Sequence, residues 1–543
     1  MKDYKRIKDP IYGYIQIPVK YMTEIVDTAT FQRLRRIIQT SYSPLYSSAV
    51  HNRFVHSLGV FYLGELTVQQ LNKEFSLKIT THLDLQAYGE VFKLACLLHD
   101  VGHAPFSHTG KNFFLGEQHD YKQIHNELIK VIGSEAFKAD IPQDTSLAAA
   151  PHEIMSATIG IIQFGNFMEN VEYKEFFARC ITGYKYTETS VENSIKNCYI
   201  SMLNSKVIDV DKLDYLIRDA YVTGFDTVNI DFERLISSLT ICRDGNTFQI
   251  AYYKNAISVI ENVVYAHDAE RKWIQTHPVV LYEGYIIQHI IAHLNEKIDT
   301  QKENLFSLKS LSADGQKFDN NISISLLCDD DIIYLIKNVF PNDLGKEFFE
   351  RRERRHPVWK SEAEYKAFIL ELATGGSLLQ DFEMAMSLTA KYLIKSTDSW
   401  VIDDALISKL EKEIAELETM FLDDEETRKV QVKDKAKILK VMHSLQSYAK
   451  EKNLECSFVI LMASQFNSGF GKADFSEINV VFKTKEGEKI AKFGEIVSSL
   501  KAKNRDRDSF FYLFYKRKSG TSLGNADIDN QEICKKLFKD VVF

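Results

Sequence analysis

The chain is 543 residues long, enough for two or three domains of ~100–200 residues each and for a sizeable buried core. Hydrophobic residues make up 45% and charged residues 26%, which excludes a disordered, collagenous or low-complexity chain. The net charge of −8 excludes a basic whole-surface nucleic-acid binder, so a polyanion site must be local. In chain order, Met1-Lys2-Asp3-Tyr4-Lys5-Arg6 has no apolar segment behind it, so no signal peptide is expected. Phe54, Leu58, Phe61, Tyr62 and Leu66 recur at helical spacing and predict a helix over 54–75. Residues 90–99 predict a helix that is apolar almost all round and therefore central. Helices are also expected over 152–164 and 210–221. Two strand-like runs flank Asp244-Gly245-Asn246 within 238–250, a hairpin signal, and helices resume over 257–298.

The character changes near Ser396-Thr397-Asp398. Two highly charged helical stretches, 403–421 and 432–452, flank Asp423-Asp424-Glu425-Glu426 and read as a solvated helical hairpin. Segments 457–463, 477–483 and 509–515 alternate like strands of a small α+β module. The expected fold is mainly α: a helical core with small β-hairpins over 1–397, then a C-terminal helical hairpin and α+β region over 398–543. The few prolines, nine in all, agree with long helices. Seven scattered cysteines with no CxxC pair give neither a disulfide framework nor a cysteine zinc site, and point to a reducing compartment. No run approaches the ~20 apolar residues of a membrane span. The expectation is a soluble, cytoplasmic protein with no membrane partner.

The chemistry concentrates in 94–108, where an apolar helix runs into adjacent His99 and Asp100, followed by Gly102, His103 and His108. At a helix end a neighbouring imidazole and carboxylate can converge on one cation, and mixed ligands of this kind suit Fe, Mn, Zn, Ni or Co better than Ca. Three histidines within ten residues behind an apolar helix outweigh a merely capped helix end. His56 falls in the first turn of the 54–75 helix. Asp211, Tyr215 and Asp219 are four apart and share one helix face, opposite Leu213, Leu216 and Ile217. Taken alone, that face reads equally well as a polar stripe turned to solvent.

These residues form the series H…HD…D, and longer strings accompany it: Asp9-Pro10-Ile11-Tyr12-Gly13, the run 27–35 from Asp27 to Arg35, the run 51–57 around His56, the run 99–108, His152-Glu153-Ile154-Met155-Ser156 and the run 209–219. In that order they resemble the HD-domain deoxynucleoside triphosphate triphosphohydrolases, a family that includes the vertebrate SAM-and-HD-domain protein. The resemblance covers roughly the first half of the chain and fades after about His267; no sterile-alpha-motif domain is expected ahead of the core.

The resemblance implies an HD-domain helical bundle and hydrolysis of a deoxynucleoside triphosphate at the α-phosphorus, giving deoxynucleoside and inorganic triphosphate. It makes His56, His99, Asp100 and Asp211 ligands of a divalent transition metal and leaves a second, Mg²⁺ ion open. It makes His103, His108, His152 and Glu153 catalytic residues, with His108 as the general acid. It places Arg53 and Lys212 on phosphates, Gln39 and Asp219 on the sugar 3′-hydroxyl, and Tyr215, Tyr265 and His267 on the substrate. It makes Asp27, Gln32 and Arg35 the guanine-reading part of an activator site and implies a homo-oligomer, dimer or tetramer. Such an enzyme lowers the dNTP pool, for balance or to starve viral replication. His119 and His125, between motifs, are expected to be surface histidines.

The chain departs from the pattern at Ile257, where the vertebrate protein has a phosphate-contacting Arg, at Ala266 in place of Gln, and at Lys111 in place of an acid near the general acid. The 40–50 loop is one residue shorter than the family's and is not glycine-rich, and Arg243 and Lys254 are the candidate basic residues for the second half of the activator site. The alternatives are another HD-domain phosphodiesterase or nuclease, a signalling-nucleotide hydrolase, or a non-enzymatic nucleotide-binding regulator. Nucleic acid is not expected as the main substrate, since the balance is acidic and no Arg/Lys-aromatic stripe is present.

Overall fold

In the computed structural model the described residues are 3–115, 121–225, 229–298, 304–318, 322–370, 372, 376–396, 399–419, 425–463, 473–497, 510–517 and 528–543. The chain forms two compact units of interleaved segments. One takes Met1–Arg271, Leu294–Leu335 and Asn467–Asn504; the other takes Lys272–His293, Ile336–Phe466 and Arg505–Phe543. Residues 473–497, expected with the C-terminal region, thus belong with the first unit.

The first unit opens with an antiparallel hairpin, β1 (Tyr4–Asp9) and β2 (Gly13–Pro18), absent from the sequence reading. Its bundle is built on α1 (Arg53–Lys78), α2 (Leu85–Leu98), α3 (Pro151–Phe164), α4 (Val210–Thr223) and α5 (Ile257–Glu270). Asn52 caps α1 by accepting from Val55 N at 3.3 Å, and Asp209 caps α4 by accepting from Lys212 N at 2.8 Å. Pro151 opens α3, where its missing N–H costs nothing. Helix α2 buries Val91, Phe92 and everything from Leu94 to Leu98, at roughly 1.5–3 kcal/mol for each large apolar side chain. That burial fixes the point at which His99 and Asp100 leave the helix. The helical run expected over 257–298 is broken only at 276–277: α5 runs on past Glu270 as a π-helical turn, Arg271–Gln275, and a new helix begins at Pro278, whose ring disfavours helical geometry in the residue before it.

The expected hairpin forms from β3 (Leu239–Asp244) and β4 (Thr247–Tyr253), with Gly245 at φ 60° in the turn. Of the three C-terminal strands expected to form one module, Asn479–Thr484 instead pairs in parallel with β4, from Ala251↔Asn479 to Tyr253↔Val481. Gly487–Lys492 adds antiparallel to it, completing a four-stranded sheet.

In the second unit, Asp404–Thr419 and Glu425–Glu451 form the expected helical hairpin, joined by Lys435 with Glu413 and by His443 with Glu411 at 3.1 Å. Phe458–Ala463 and Phe510–Tyr515 pair antiparallel, with His356–Pro357 as a third, short strand. All six residues of Phe510–Tyr515 are buried, so this strand is apolar on both faces rather than alternating. Among the described residues no helix is long and apolar enough to cross a membrane.

Candidate active site

His56 rises from the first turn of α1, His99 and Asp100 follow the end of α2, and Asp211 sits in the first turn of α4. Their ligating atoms converge. His56 Nε2 lies 3.0 Å from Asp211 Oδ1, 3.2 Å from His99 Nε2 and 3.7 Å from Asp100 Oδ2. His99 Nε2 lies 3.5 Å from Asp100 Oδ2 and 3.7 Å from Asp211 Oδ1. Two imidazole nitrogens and two carboxylate oxygens crowded this closely match the donor set of a transition-metal site and leave room for further oxygen ligands. His56, His99 and Asp211 satisfy the spacing for one ion without rearrangement. In the protein alone, burial works against a charged His56, but hydrogen bonds to Asp211 and Asp214 outweigh it and hold it up at about 9. A cation would take that proton's place. Burial also opposes ionisation of Asp100, yet Arg53, His99 and His56 keep it well below the usual carboxylate range.

Hydrogen bonds from behind His56 orient this set. Asp214 Oδ2 lies 2.7 Å from His56 Nδ1, which turns Nε2 toward the site. Asp214 is in turn held by Tyr12 Oη at 2.8 Å and by Arg218 Nε at 2.9 Å, and Arg218 Nη1 reaches Asp9 Oδ2 at 3.1 Å. Asp9 also accepts from Tyr12 N at 3.0 Å, which gives the Asp9–Gly13 string its role: the first hairpin buttresses a metal-set histidine. Gly59, one turn beyond His56, makes room for it, since a Cβ there would stand 1.9 Å from Asp214 Oδ1.

Beside this set lie three more histidines with their nitrogens close enough to share an ion. The His103 and His152 rings lie 4.3 Å apart, tilted by 33°, and His108 meets each edge-on at 5.5 Å. Burial first, then Arg53 and neighbouring imidazoles, push His103 well below its ordinary value; burial, His108 and Lys111 do the same to His152. His108 is pushed down to about 3 by burial, Arg53 and Lys111, but its side chain is exposed and solvent screens part of that effect. Glu153 accepts from Ala150 N at 2.6 Å and from Asn204 Nδ2 at 2.9 Å, so it caps α3, and burial pushes it up to about 7.

Of the expected substrate residues, Arg53 is buried and donates from Nη1 to Asp100 Oδ2 at 2.7 Å and from Nε to Ser107 Oγ at 2.9 Å. Lys212 donates to Asp209 Oδ2 and Ser205 O, each at 2.6 Å. Gln39 is buried, and on the Asp211, Tyr215 and Asp219 face Asp219 is buried and the other two half-buried, against a stripe turned fully to solvent. Gln39 N donates to His51 O at 2.9 Å, and His51 Nε2 stands 2.8 Å from Asp219 Oδ1, out of line for a hydrogen bond. Gln39 Oε1, Asp219 Oδ1, His103 Nε2 and His152 Nδ1 are buried without a hydrogen-bond partner. Tyr215 is half-buried on α4, Tyr265 is exposed on α5, and His267 Nδ1 lies 3.7 Å from Asp268 Oδ1.

Among the activator candidates, Asp27 is exposed, while Gln32 Oε1 accepts from Arg35 Nε at 2.8 Å and Arg35 lies over the Phe54 ring at 3.5 Å. Arg243 Nε donates to Gly245 O in its own turn at 2.9 Å. His119 lies outside the described residues. His125, expected at the surface, is buried: it contacts Tyr121 O at 2.6 Å and Tyr184 Oη at 2.8 Å, because its helix faces the bundle. A separate cavity of 740 Å³, lined by Tyr184, Tyr186, Phe248 and Asn204 among others, touches the site only through Glu153 and so does not hold the chemistry.

The family profile described as HD domain matches residues 53–218, the stretch that supplies His56, His99, Asp100 and Asp211. The chain carries an HD domain. An uncharacterised protein of Mycoplasma genitalium is 31% identical over 261 residues, 47% of this chain and 52% of that protein. The deoxynucleoside triphosphate triphosphohydrolase SAMHD1 of Gallus gallus is 27% identical over 341 residues, 60% of this chain and 52% of that protein. The chain thus spans about half the length of the curated relatives it matches. A crystal structure of a hypothetical protein from Aquifex aeolicus aligns with a TM-score of 0.52 over 99% of both chains at 19% identity, a likeness of fold.

The sequence reading missed Asp214, Arg218 and Gly59, along with the part played by Asp9 and Tyr12. The available signal was Asp214 and Arg218 at i,i+4 on an otherwise apolar helix face. It also missed Arg33 and Asp329, for which spacing gives no signal: Asp329-Asp330-Asp331 reads as an ordinary acidic helix start.

Proposed function

We propose that this HD domain hydrolyses deoxynucleoside triphosphates to deoxynucleoside and inorganic triphosphate. The observation that carries the reading is a metal-type donor set linked by Arg53, which bonds both Asp100 Oδ2 and Gln39 O, to buried atoms of Gln39, His103 and His152 that have no hydrogen-bond partner. Each such atom costs about 1–3 kcal/mol unless a ligand completes it. A bound divalent cation would lower the pKa of a water and polarise the phosphoryl group. Arg53 keeps Asp100 ionised for that cation, and Asp214 keeps His56 in the tautomer that presents Nε2. His103 and His152 donate to phosphate oxygens, the triphosphate's charge offsetting the burial and the neighbouring positive groups that hold them down. His108, the exposed member of the trio, gives a proton to the departing 5′-oxygen once the triphosphate's charge offsets burial, Arg53 and Lys111, and the attacking water releases the proton that balances it. Gln39 and Asp219 pair with the sugar 3′-hydroxyl.

Arg53 and Lys212 are tied to Asp100 and Asp209, so a phosphate meets their charge and those of their N–H groups that these bonds leave over. The Gln32–Arg35 pair, with Asp27, forms the guanine-reading edge of an activator site that also joins copies of the chain into an oligomer. The test offers each dNTP and rNTP, singly and in mixtures, with Mn²⁺ or Mg²⁺ and an Asp100→Ala control, and resolves the products by ion exchange. Deoxynucleoside plus triphosphate, absent in the control, supports the reading. Nucleotide monophosphate with diphosphate, or no turnover in any mixture, refutes it.

A further inference from the structure

The segment 99–110 carries His99, Asp100, His103 and His108, and its backbone is unusual just before the last of these. Phe106 and Ser107, neither of them glycine, both take φ of 54°, the left-handed region that side chains disfavour. A turn of this kind persists only if its surroundings impose it. The restraint comes from far along the chain. Asp329 is buried; its Oδ1 accepts from Phe106 N at 2.7 Å and its Oδ2 from Ile38 N at 2.9 Å. One carboxylate therefore joins the residue two before His108 to the residue just before Gln39. Ser107 Oγ closes the same gap by donating to Ile38 O, and itself accepts from Arg53 Nε at 2.9 Å.

Arg33 fastens the other half of the loop. It is buried, and its Nη2 donates to Val101 O at 2.9 Å and His103 O at 3.0 Å, while Nη1 reaches Leu327 O at 2.7 Å, two residues before Asp329. The strap 327–329 thus grips the loop at three carbonyls or amides, 101, 103 and 106, through two charged side chains. It lies outside the 53–218 stretch that defines the domain. It contributes no group to the metal set, and its only polar reach toward the site is through the backbone of residues that carry the proposed proton donor and the proposed sugar contact.

We infer that Asp329 is a positioning residue that sets His108 against Gln39, so that the proton donor and the sugar 3′ end are held at one fixed separation. The inference rests on the proposed role of His108. Asp329→Asn keeps the volume but offers one of the two N–H groups an amide NH₂ in place of an acceptor. The test compares wild type with Asp329→Asn and Asp329→Ala on a dNTP and on bis(4-nitrophenyl) phosphate. The nitrophenolate departs without needing a proton, whereas the 5′-alkoxide of a deoxynucleoside does not.

The expected result is a fall of about a hundredfold in kcat on dNTP with less than about threefold on the nitrophenyl ester, the size of one general-acid contribution. Bound metal, measured by mass spectrometry, stays at the wild-type level. Amide exchange in 101–110 and 36–40 accelerates together, while exchange in the body of α1 does not. An equal fall on both substrates, or lost metal, overturns the inference, since a merely structural role would produce it. Unchanged exchange at both segments also overturns it. If wild type turns over no dNTP, the substrate reading fails, and the exchange experiment still decides whether the clamp exists.

Discussion

The two ends of the site are built on different principles. At the cation end His56 is supported from behind as well as in front, by Asp214, and Asp214 by Tyr12 and Arg218. At the histidine and sugar end, Gln39, His103 and His152 each keep a buried polar atom with no hydrogen-bond partner, and Asp219 Oδ1 meets only His51 Nε2, at 2.8 Å. The first end is pre-organised by the protein; the second is completed by what binds. A site that spends its stability on one end and withholds it at the other discriminates by requiring a ligand whose groups match the unpaired atoms.

This contrast can be broken from either side. The largest effect is expected at the cation end: Asp211→Ala or Asp100→Ala reduces turnover by about a thousandfold or more and abolishes stoichiometric metal, read by mass spectrometry of the purified protein. Residual activity above a few per cent would mean that the donor set is not the reacting centre. Next comes the support behind His56. Asp214→Asn lowers metal affinity by about 10–100-fold without touching the ligands themselves. Gly59→Ala reaches the same pair from the other side, its Cβ standing 1.9 Å from Asp214 Oδ1, and destabilises the fold by about 1–3 kcal/mol in denaturant titration.

The opposite end should behave in reverse. Gln39→Ala removes an acceptor that has no partner in the free protein, so stability holds or rises slightly while KM for a dNTP increases about tenfold. The smallest effect is a pH slope. His152 and His103 are held neutral well below their ordinary value by burial first, so their contribution to stability is present above pH ~6.5 and is lost as pH falls. His152→Gln should therefore lose less Tm than wild type between pH 7 and pH 5. An identical or steeper loss would place the acid-sensitive groups elsewhere.

The contrast also divides what the sequence could tell. The convergence of the candidate ligands was legible because they sit at helix ends marked by caps and apolar runs: His99 ends a helix whose burial is nearly complete, and Asp211 follows the Asp209 cap. Asp219 and Gln39 were assigned by resemblance rather than pattern: Asp219 lies on a polar stripe at four-residue spacing that reads equally well as solvent-facing, and Gln39 lies in no such pattern. Asp214 hid because a charged residue on an apolar face looks like an interruption until its partners Tyr12 and Arg218 are known. Asp329 was beyond reach, because its contacts to Ile38 and Phe106 cross more than two hundred residues and depend on backbone geometry no spacing encodes. The same holds for the strand Asn479–Thr484, legible as a strand but not as the partner of β4.

The most direct test of the account is equilibrium binding of a non-hydrolysable dNTP analogue and its 3′-deoxy counterpart to the metal-loaded protein, with and without Gln39→Ala and Asp219→Ala. The account predicts that the 3′-deoxy analogue binds at least about tenfold more weakly to wild type and that the double variant no longer tells the two apart. Equal affinity of wild type for both analogues would contradict it, because the buried atoms of Gln39 and Asp219 would then be waiting for something other than the sugar of a deoxynucleotide.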